Sequence, residues 1–316
     1  MTVIIPKQAY LTIIAASVRF ANQKIPKEKW IEANGIFIGK NQNDDVLISK
    51  AYPIMHEVYD PKAIVDKYVW SEEDYASTVI IEEEAFNKGD YVIGWWHSHP
   101  GFRVMLSGFG DRKTTVAYQS LNPLAITLVF NPERLIRQIE YPERKGAPVK
   151  QLQNDPGFKI FRLDDGNNER SKFHEVEYKI EGFESMEQLV IQAQKFVIDI
   201  TNFFPSNNIL ETYDKFIKNQ IIQLDSLLLG TEEYLATLMR KGESHRIHEV
   251  LDNQTREIRK YVAETFIKIE KIKQFMDYLE FKERDVIIPQ IKEILAEWDD
   301  CVSKLNEKLM LLSKKF

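Results

Sequence analysis

The sequence predicts an α/β (α+β) protein in which a mixed sheet flanked by helices is followed by a C-terminal helical, coiled-coil-like region. Three observations carry that expectation. Short apolar runs bounded by turn residues recur as far as Ile180, amphipathic helical stretches lie between them, and after Met186 the strand signals stop while long helical patterns take over. A break at Pro205 divides the chain into an expected domain over 1–205 and a long-helix region over 206–316.

Taken in order, Ile5 to Phe20 opens with Pro6 and sets Tyr10, Ile13, Ile14 and Val18 on one side, a helical pattern that the polar segment Lys24 to Lys29 ends. Gly35 to Gly39 and Val46 to Tyr52 are strands, and the turn chemistry of Asn41 to Asp45 joins them as a hairpin. Pro53 to Trp70 has no clean period. Ser71 followed by Glu72, Glu73 and Asp74 starts a helix that runs to Asn87, with a capping hydroxyl and an acidic first turn. A buried strand begins at Tyr91. Asp111 to Asn122 reads as a helix, then Leu124 to Phe130 and Leu135 to Tyr141 as strands joined by Asn131-Pro132-Glu133-Arg134. Gly157 to Leu163 and Phe173 to Ile180 alternate as half-exposed strands do.

Helices are expected over Met186 to Phe204, Ile209 to Arg240, His245 to Phe281 and Val286 to Lys315. In the last two, Ile258, Val262, Thr265, Ile269, Ile272, Met276 and Leu279 step by four and three, as do Ile291, Leu295, Trp298, Val302, Leu305, Leu309 and Leu312. Such seams pair with another helix, either inside the chain as a hairpin or in a second chain.

Composition narrows the function classes. A formal charge of −6 argues against a nucleic-acid binder. No apolar stretch reaches the length of a membrane span, and MTVIIPKQAY lacks a signal-peptide pattern, so a cytoplasmic protein is expected. The single cysteine, Cys301, leaves no intrachain disulfide and fits a reducing compartment. It lies in a helical stretch with no motif that would make it a nucleophile.

The chemistry concentrates between Tyr91 and Asp111, YVIGWWHSHPGFRVMLSGFGD. Side chains alternate on a strand, so His97 and His99 emerge on one face while Ser98 points away. Pro100 and Gly101 end the strand just beyond the pair. Two imidazoles with Asp111 as an anionic third ligand make a set that suits catalytic zinc, with a fourth position left for water.

His97-Ser98-His99-Pro100, then Ser107 and Asp111, resembles the JAMM motif of the MPN-domain metalloproteases. The wording GWWHSHPGF followed by LSG is similar to the deubiquitinase subunit of the proteasome lid and its counterpart in the signalosome. That family also needs an upstream glutamate, and Glu32 stands in a Glu-x-x-Gly frame, EANG. One departure is the spacing of serine and aspartate: the family has Ser-x-x-Asp, and Ser107 to Asp111 carries one residue more. The resemblance implies an MPN-type fold and one catalytic Zn2+ held by His97, His99 and Asp111. It implies Glu32 as general base and Ser107 as donor to the oxyanion. It further implies a zinc-dependent isopeptidase that removes ubiquitin or a ubiquitin-like modifier from lysine, a loop at Pro53 to Trp70 that grips the modifier, and C-terminal helices that join an MPN-family partner or a second copy. Two alternatives stay open: a JAMM peptidase acting on sulfur-carrier proteins or small peptides, and a non-catalytic MPN scaffold.

Overall fold

A computed structural model describes residues 1–56, 71–142, 147–203, 209–279 and 281–315. Most of the segment expected to grip a modifier, residues 57–70, and the expected boundary at 205/206 lie outside them. The chain divides into two compact units, Met1–Asn207 with Asp277–Arg284, and Asn208–Met276 with Asp285–Phe316.

The first unit is built on one mixed sheet. Its strands in chain order are β1 Thr2–Ile5, β2 Ala33–Gln42, β3 Asp45–His56, β4 Tyr91–Ser98, β5 Ile126–Phe130, β8 Phe158–Leu163, β9 Phe173–Glu175 and β10 Glu177–Ile180, while β6 Ile139–Glu140 and β7 Lys150–Gln151 form a separate ribbon. The order across the sheet is β10-β1-β3-β2-β4-β5-β8-β9. β1 runs parallel to β3 and β10, and β4 parallel to β5, while the other neighbours are antiparallel. Successive strands β9 and β10 thus lie on opposite edges, separated only by Val176, whose N–H donates to the Ile160 carbonyl at 2.9 Å. One residue can span those edges only if the sheet curls on itself, which twisted strands favour.

Helix α1 (Lys7–Phe20) is buried almost all round, as a helix covered on both sides must be. It packs on β2, β3, β4 and β5, and against α4 (Pro132–Arg137) and α5 (Met186–Phe203). The other face carries α2 (Glu72–Phe86) and α3 (Phe109–Leu121), and Ile36, Ile38, Tyr52, Ile54, Ile81 and Ala85 form the core beneath α2. The cap expected at Ser71 is a full capping box: its hydroxyl accepts from the Asp74 N–H, and the Asp74 carboxylate accepts from the Ser71 N–H at 2.9 Å. Substituting Ser71 by Ala is therefore expected to cost about 1 kcal/mol of unfolding free energy, read by urea denaturation.

Three elements differ from expectation. Leu135 to Tyr141 is not a strand: α4 occupies Pro132–Arg137 and only Ile139–Glu140 pairs, with Lys150–Gln151. The cause is Asn131, whose side chain accepts from the N–H groups of Glu133 and Arg134, followed by a proline in the first helical turn. Gln138, left-handed at φ 52°, stops the helix. Ahead of α1, Thr2–Ile5 is a strand, with Val3 and Ile5 buried in alternation. Finally, Phe173 to Ile180 is two strands rather than one.

Arg134 anchors α4 to the sheet. Its guanidinium donates to both oxygens of Asp155, at 2.8 and 2.6 Å, and to Glu140 at 2.9 Å. Burial works against its charge, but the two carboxylates outweigh that and raise its pKa. Exchanging it for methionine should lower stability by about 3 kcal/mol, since two partly buried carboxylates lose their cation. Chemical denaturation of the variant beside the wild type measures that loss.

The second unit is helical: α6 (Ile209–Arg240), α7 (Ile247–Met276) and the part of α8 (Phe281–Lys315) that falls within it. Ile217, Leu224, Leu228, Leu235 and Leu238 of α6 share one core with Ile247, Leu251, Ile258 and Ile269 of α7 and with Trp298, Leu305, Leu309 and Leu312 of α8. Ile258, Val262 and Ile269 of the first stepped seam and Leu295, Trp298, Val302, Leu305, Leu309 and Leu312 of the second are thus packed within the chain, whereas Leu279 lies beyond the end of α7. Among the described residues no helix is long and apolar enough to cross a membrane.

Candidate metal centre

The centre lies where β4 ends and α3 begins. These two elements and β5 form a parallel crossover, an arrangement that leaves the carboxyl end of the first strand facing the helix N-terminus. The buried run Ile93 to Ser98 belongs to a central strand. Beyond it, His99 continues the pairing by donating its N–H to the Phe130 carbonyl at 2.7 Å. Gly94 lies at φ +151°, and a Cβ there would stand 2.2 Å from the Ile126 carbonyl oxygen, so the strand can pass β5 this closely only with glycine.

His97, His99 and Asp111 converge. His97 Nε2 is 3.0 Å from His99 Nε2 and 3.4 Å from Asp111 Oδ2, and His99 Nε2 is 3.7 Å from that same oxygen. Donors held 2.0–2.1 Å from a common tetrahedral centre lie about 3.3 Å apart. The observed separations bracket that value, and the three residues could together hold a metal ion. All three are buried, at 0%, 5% and 1% exposure.

Protonation suits the same role. Burial, then the neighbouring His97, depress the pKa of His99, against the pull of Glu32, Asp111 and the Arg103 carbonyl. His99 is therefore neutral at pH 7. Its Nδ1 lies 2.9 Å from the Arg103 carbonyl oxygen, which can only accept, so Nδ1 carries the proton and the Nε2 lone pair faces the cluster. Burial pushes the Asp111 carboxyl up, but His97, His99 and Ser107 outweigh it and hold the pKa at about 2. The His97 ring stacks on Trp95, with centroids 4.5 Å apart and planes at 10°, which sets the plane of its imidazole.

Asp111 stands in the first turn of α3, where a negative charge meets the positive end of the helix. The Thr115 hydroxyl donates to the Asp111 carbonyl at 2.7 Å and lies 2.9 Å from Thr127 Oγ1 on β5, tying that turn to the sheet. Across the lengthened spacing, the Ser107 N–H donates to Asp111 Oδ2 at 2.6 Å, while Gly108 forms the non-helical cap of α3. Ser107 itself is exposed at the mouth of the centre.

Glu32 reaches the same face by strand register. Asn34 pairs with His97 across β2 and β4, and Glu32, two residues earlier, lies on the Asn34 side of the chain. It is half-buried and close enough for its charge to oppose the lowering of the His99 pKa. Gly35, the end of the Glu-x-x-Gly frame, has no room for a side chain, since a Cβ would lie 2.0 Å from the Tyr52 carbonyl oxygen and 2.8 Å from Trp96 Nε1.

Sequence reasoning overlooked three supports. Ser98, pointing away from the cluster, accepts from the Ala33 N–H at 2.9 Å and thereby fixes the residue next to Glu32. Trp95, stacked on His97, shows in the sequence only as one of the apolar residues of a strand. The Arg103 carbonyl orients His99 through backbone, which leaves no trace in a residue type. Cys301 lies on α8 half-buried, and burial raises its pKa, the reverse of what a thiolate nucleophile needs.

Residues 1–123 match the family model described as JAB1/Mov34/MPN/PAD-1 ubiquitin protease. Subunit 5a of the COP9 signalosome complex of Arabidopsis thaliana is 26% identical over 214 residues, which cover 65% of this chain and 53% of that protein. Subunit 5 of Oryza sativa subsp. japonica is 30% identical over 112 residues, covering 34% and 28%, and that of Eremothecium gossypii 28% identical over 104 residues, covering 33% and 23%. The match thus spans about half the length of the Arabidopsis protein, 53%, and less of the other two.

Proposed function

We propose that this chain, whose residues 1–123 match the JAB1/Mov34/MPN/PAD-1 family model and which is similar to subunit 5 of the signalosome, is a zinc-dependent isopeptidase of the JAMM/MPN family. Its substrates are conjugates of ubiquitin or a ubiquitin-like modifier to lysine side chains, in the cytoplasm. The observation that carries the reading is the convergence of two imidazoles and one ionised carboxylate beside a second carboxylate, Glu32.

Zinc held by His97, His99 and Asp111 would polarise the scissile carbonyl and acidify a water towards neutrality. Glu32 takes the proton of the attacking water and returns it to the leaving lysine amine. Arg103 keeps the His99 proton on Nδ1 and so keeps Nε2 available throughout. Ser107, held against Asp111 by its own N–H, directs its hydroxyl to the tetrahedral oxyanion. Ser107→Ala is accordingly expected to reduce kcat by about 10²–10³-fold with metal content unchanged, which steady-state cleavage and metal analysis together measure.

The relatives' name, a signalosome subunit, extends the reading to assembly: the protein works beside an MPN-family partner or a second copy, reached through its C-terminal helices. The test of function is cleavage of ubiquitin and ubiquitin-like fusions by the purified protein with zinc, beside a chelated sample. Cleavage lost on chelation is the expected result. One bound zinc without cleavage of any such fusion would turn the assignment towards another JAMM substrate, sulfur-carrier proteins or small peptides. A chain that takes up no zinc would be an MPN scaffold, a reading that the lengthened Ser107-to-Asp111 spacing keeps open.

A further inference from the structure

The turn that follows the second histidine has a support of its own. His99-Pro100-Gly101-Phe102 closes with the Phe102 N–H donating to the His99 carbonyl at 3.1 Å. Proline stands second and Gly101 third with φ +78°, the residues and backbone angle that a type II turn demands. The next carbonyl along, Arg103, is the one that accepts from His99 Nδ1. Whatever holds this turn therefore holds the imidazole.

Asn131, fully buried at the end of β5, is what holds it. Its side-chain amide donates to the Phe102 carbonyl at 2.5 Å. Its backbone N–H donates to the Gly157 carbonyl at 2.8 Å, which seats the residue against the start of β8. Its side-chain oxygen accepts from the Glu133 and Arg134 N–H groups at 2.8 and 3.3 Å, capping α4. One carboxamide thus joins the metal turn to the rigid end of the sheet and to a helix anchored by Arg134.

Resting on the metal-centre reading above, we infer that Asn131 is a positioning residue for His99, fixing the Phe102 and Arg103 peptide groups so that the Nδ1 hydrogen bond and the direction of the Nε2 donor are preset. The capping role and the positioning role use different atoms of the same side chain. Oδ1 caps, whereas Nδ2 positions. They can therefore be separated by substitution. Asn131→Asp and Asn131→Ser each keep an oxygen that caps a helix well. At neutral pH the aspartate has no N–H or O–H to donate to Phe102, and the serine hydroxyl is too short to reach it.

The full-length wild type and both variants are loaded with Co2+ in place of zinc. Affinity is measured by chelator competition, the coordination geometry by the visible absorption spectrum, and the stability of the metal-free proteins by thermal unfolding. The expected result is metal-free unfolding close to wild type, with metal affinity lowered about 10–100-fold and an altered Co2+ spectrum in both variants. Unchanged affinity and spectrum would overturn the inference. So would loss of fold in both variants, because the Phe102 bond would then belong to global stability. A wild type that takes up neither Co2+ nor zinc would defeat the metal-centre reading itself, a failure seen before any variant is compared.

Discussion

Replacing Glu32 by Gln is expected to leave zinc bound and the fold intact while hydrolysis falls by about 10²–10⁴-fold, the share that a positioned general base contributes. Glutamine has the same shape and keeps one acceptor oxygen, so packing around the start of β2 should not change. What it loses is the negative charge and the basic lone pair. Glu32 is half-buried beside His99, where its charge opposes the lowering of that residue's pKa, yet it is not one of the three converging donors. Metal content and affinity should therefore stay at the wild-type level while kcat collapses. Cleavage kinetics and metal analysis on the same preparation read both quantities, and a fully active Glu32→Gln protein would remove Glu32 from the mechanism.

Asp111→Asn is expected to act at the other end of the site, removing the metal and hydrolysis together. Asp111 is the only anionic member of the donor set and is held ionised, with a pKa of about 2. An asparagine fits the same space and keeps an oxygen for the Ser107 N–H, and the Thr115 hydroxyl meets the backbone of residue 111 rather than its side chain, so the first turn of α3 should survive. The neutral amide brings no charge to a dication, and its oxygen is a weaker donor to zinc than a carboxylate oxygen. Metal affinity should fall by more than the 10–100-fold that follows loss of an outer hydrogen bond. Chelator competition measures it, with circular dichroism as the check on folding. Wild-type metal affinity in Asp111→Asn would mean that the carboxylate is not a ligand.

Much of this arrangement was legible in the chain, for reasons that differ residue by residue. Two-residue alternation alone places His97 and His99 on one face, and the capping signal at Ser71 is local, so both could be read directly. Asp111 is different. Its approach to the histidines depends on a crossover from β4 through α3 to β5, which spacing does not reveal and which the family resemblance supplied. Other features escaped because the competing signals were misjudged. Asn131-Pro132 was taken as a turn although a capping side chain followed by proline also starts a helix. Val3 and Ile5 form too short an alternation to stand out against the helical pattern behind them. The step at Val176 between two edges of one sheet is a consequence of curling, and no local pattern encodes it. The seams of α7 and α8 were visible as seams, but a heptad does not name its partner, and only the shared core with α6 shows that they are filled from within the chain.

The whole mechanism rests on a zinc site at His97, His99 and Asp111. The most direct measurement is the zinc content of the wild-type protein after exhaustive dialysis following zinc loading, by elemental analysis against protein concentration. One tightly held zinc per chain is the expected result. A ratio near zero, in protein shown to be folded, would contradict it.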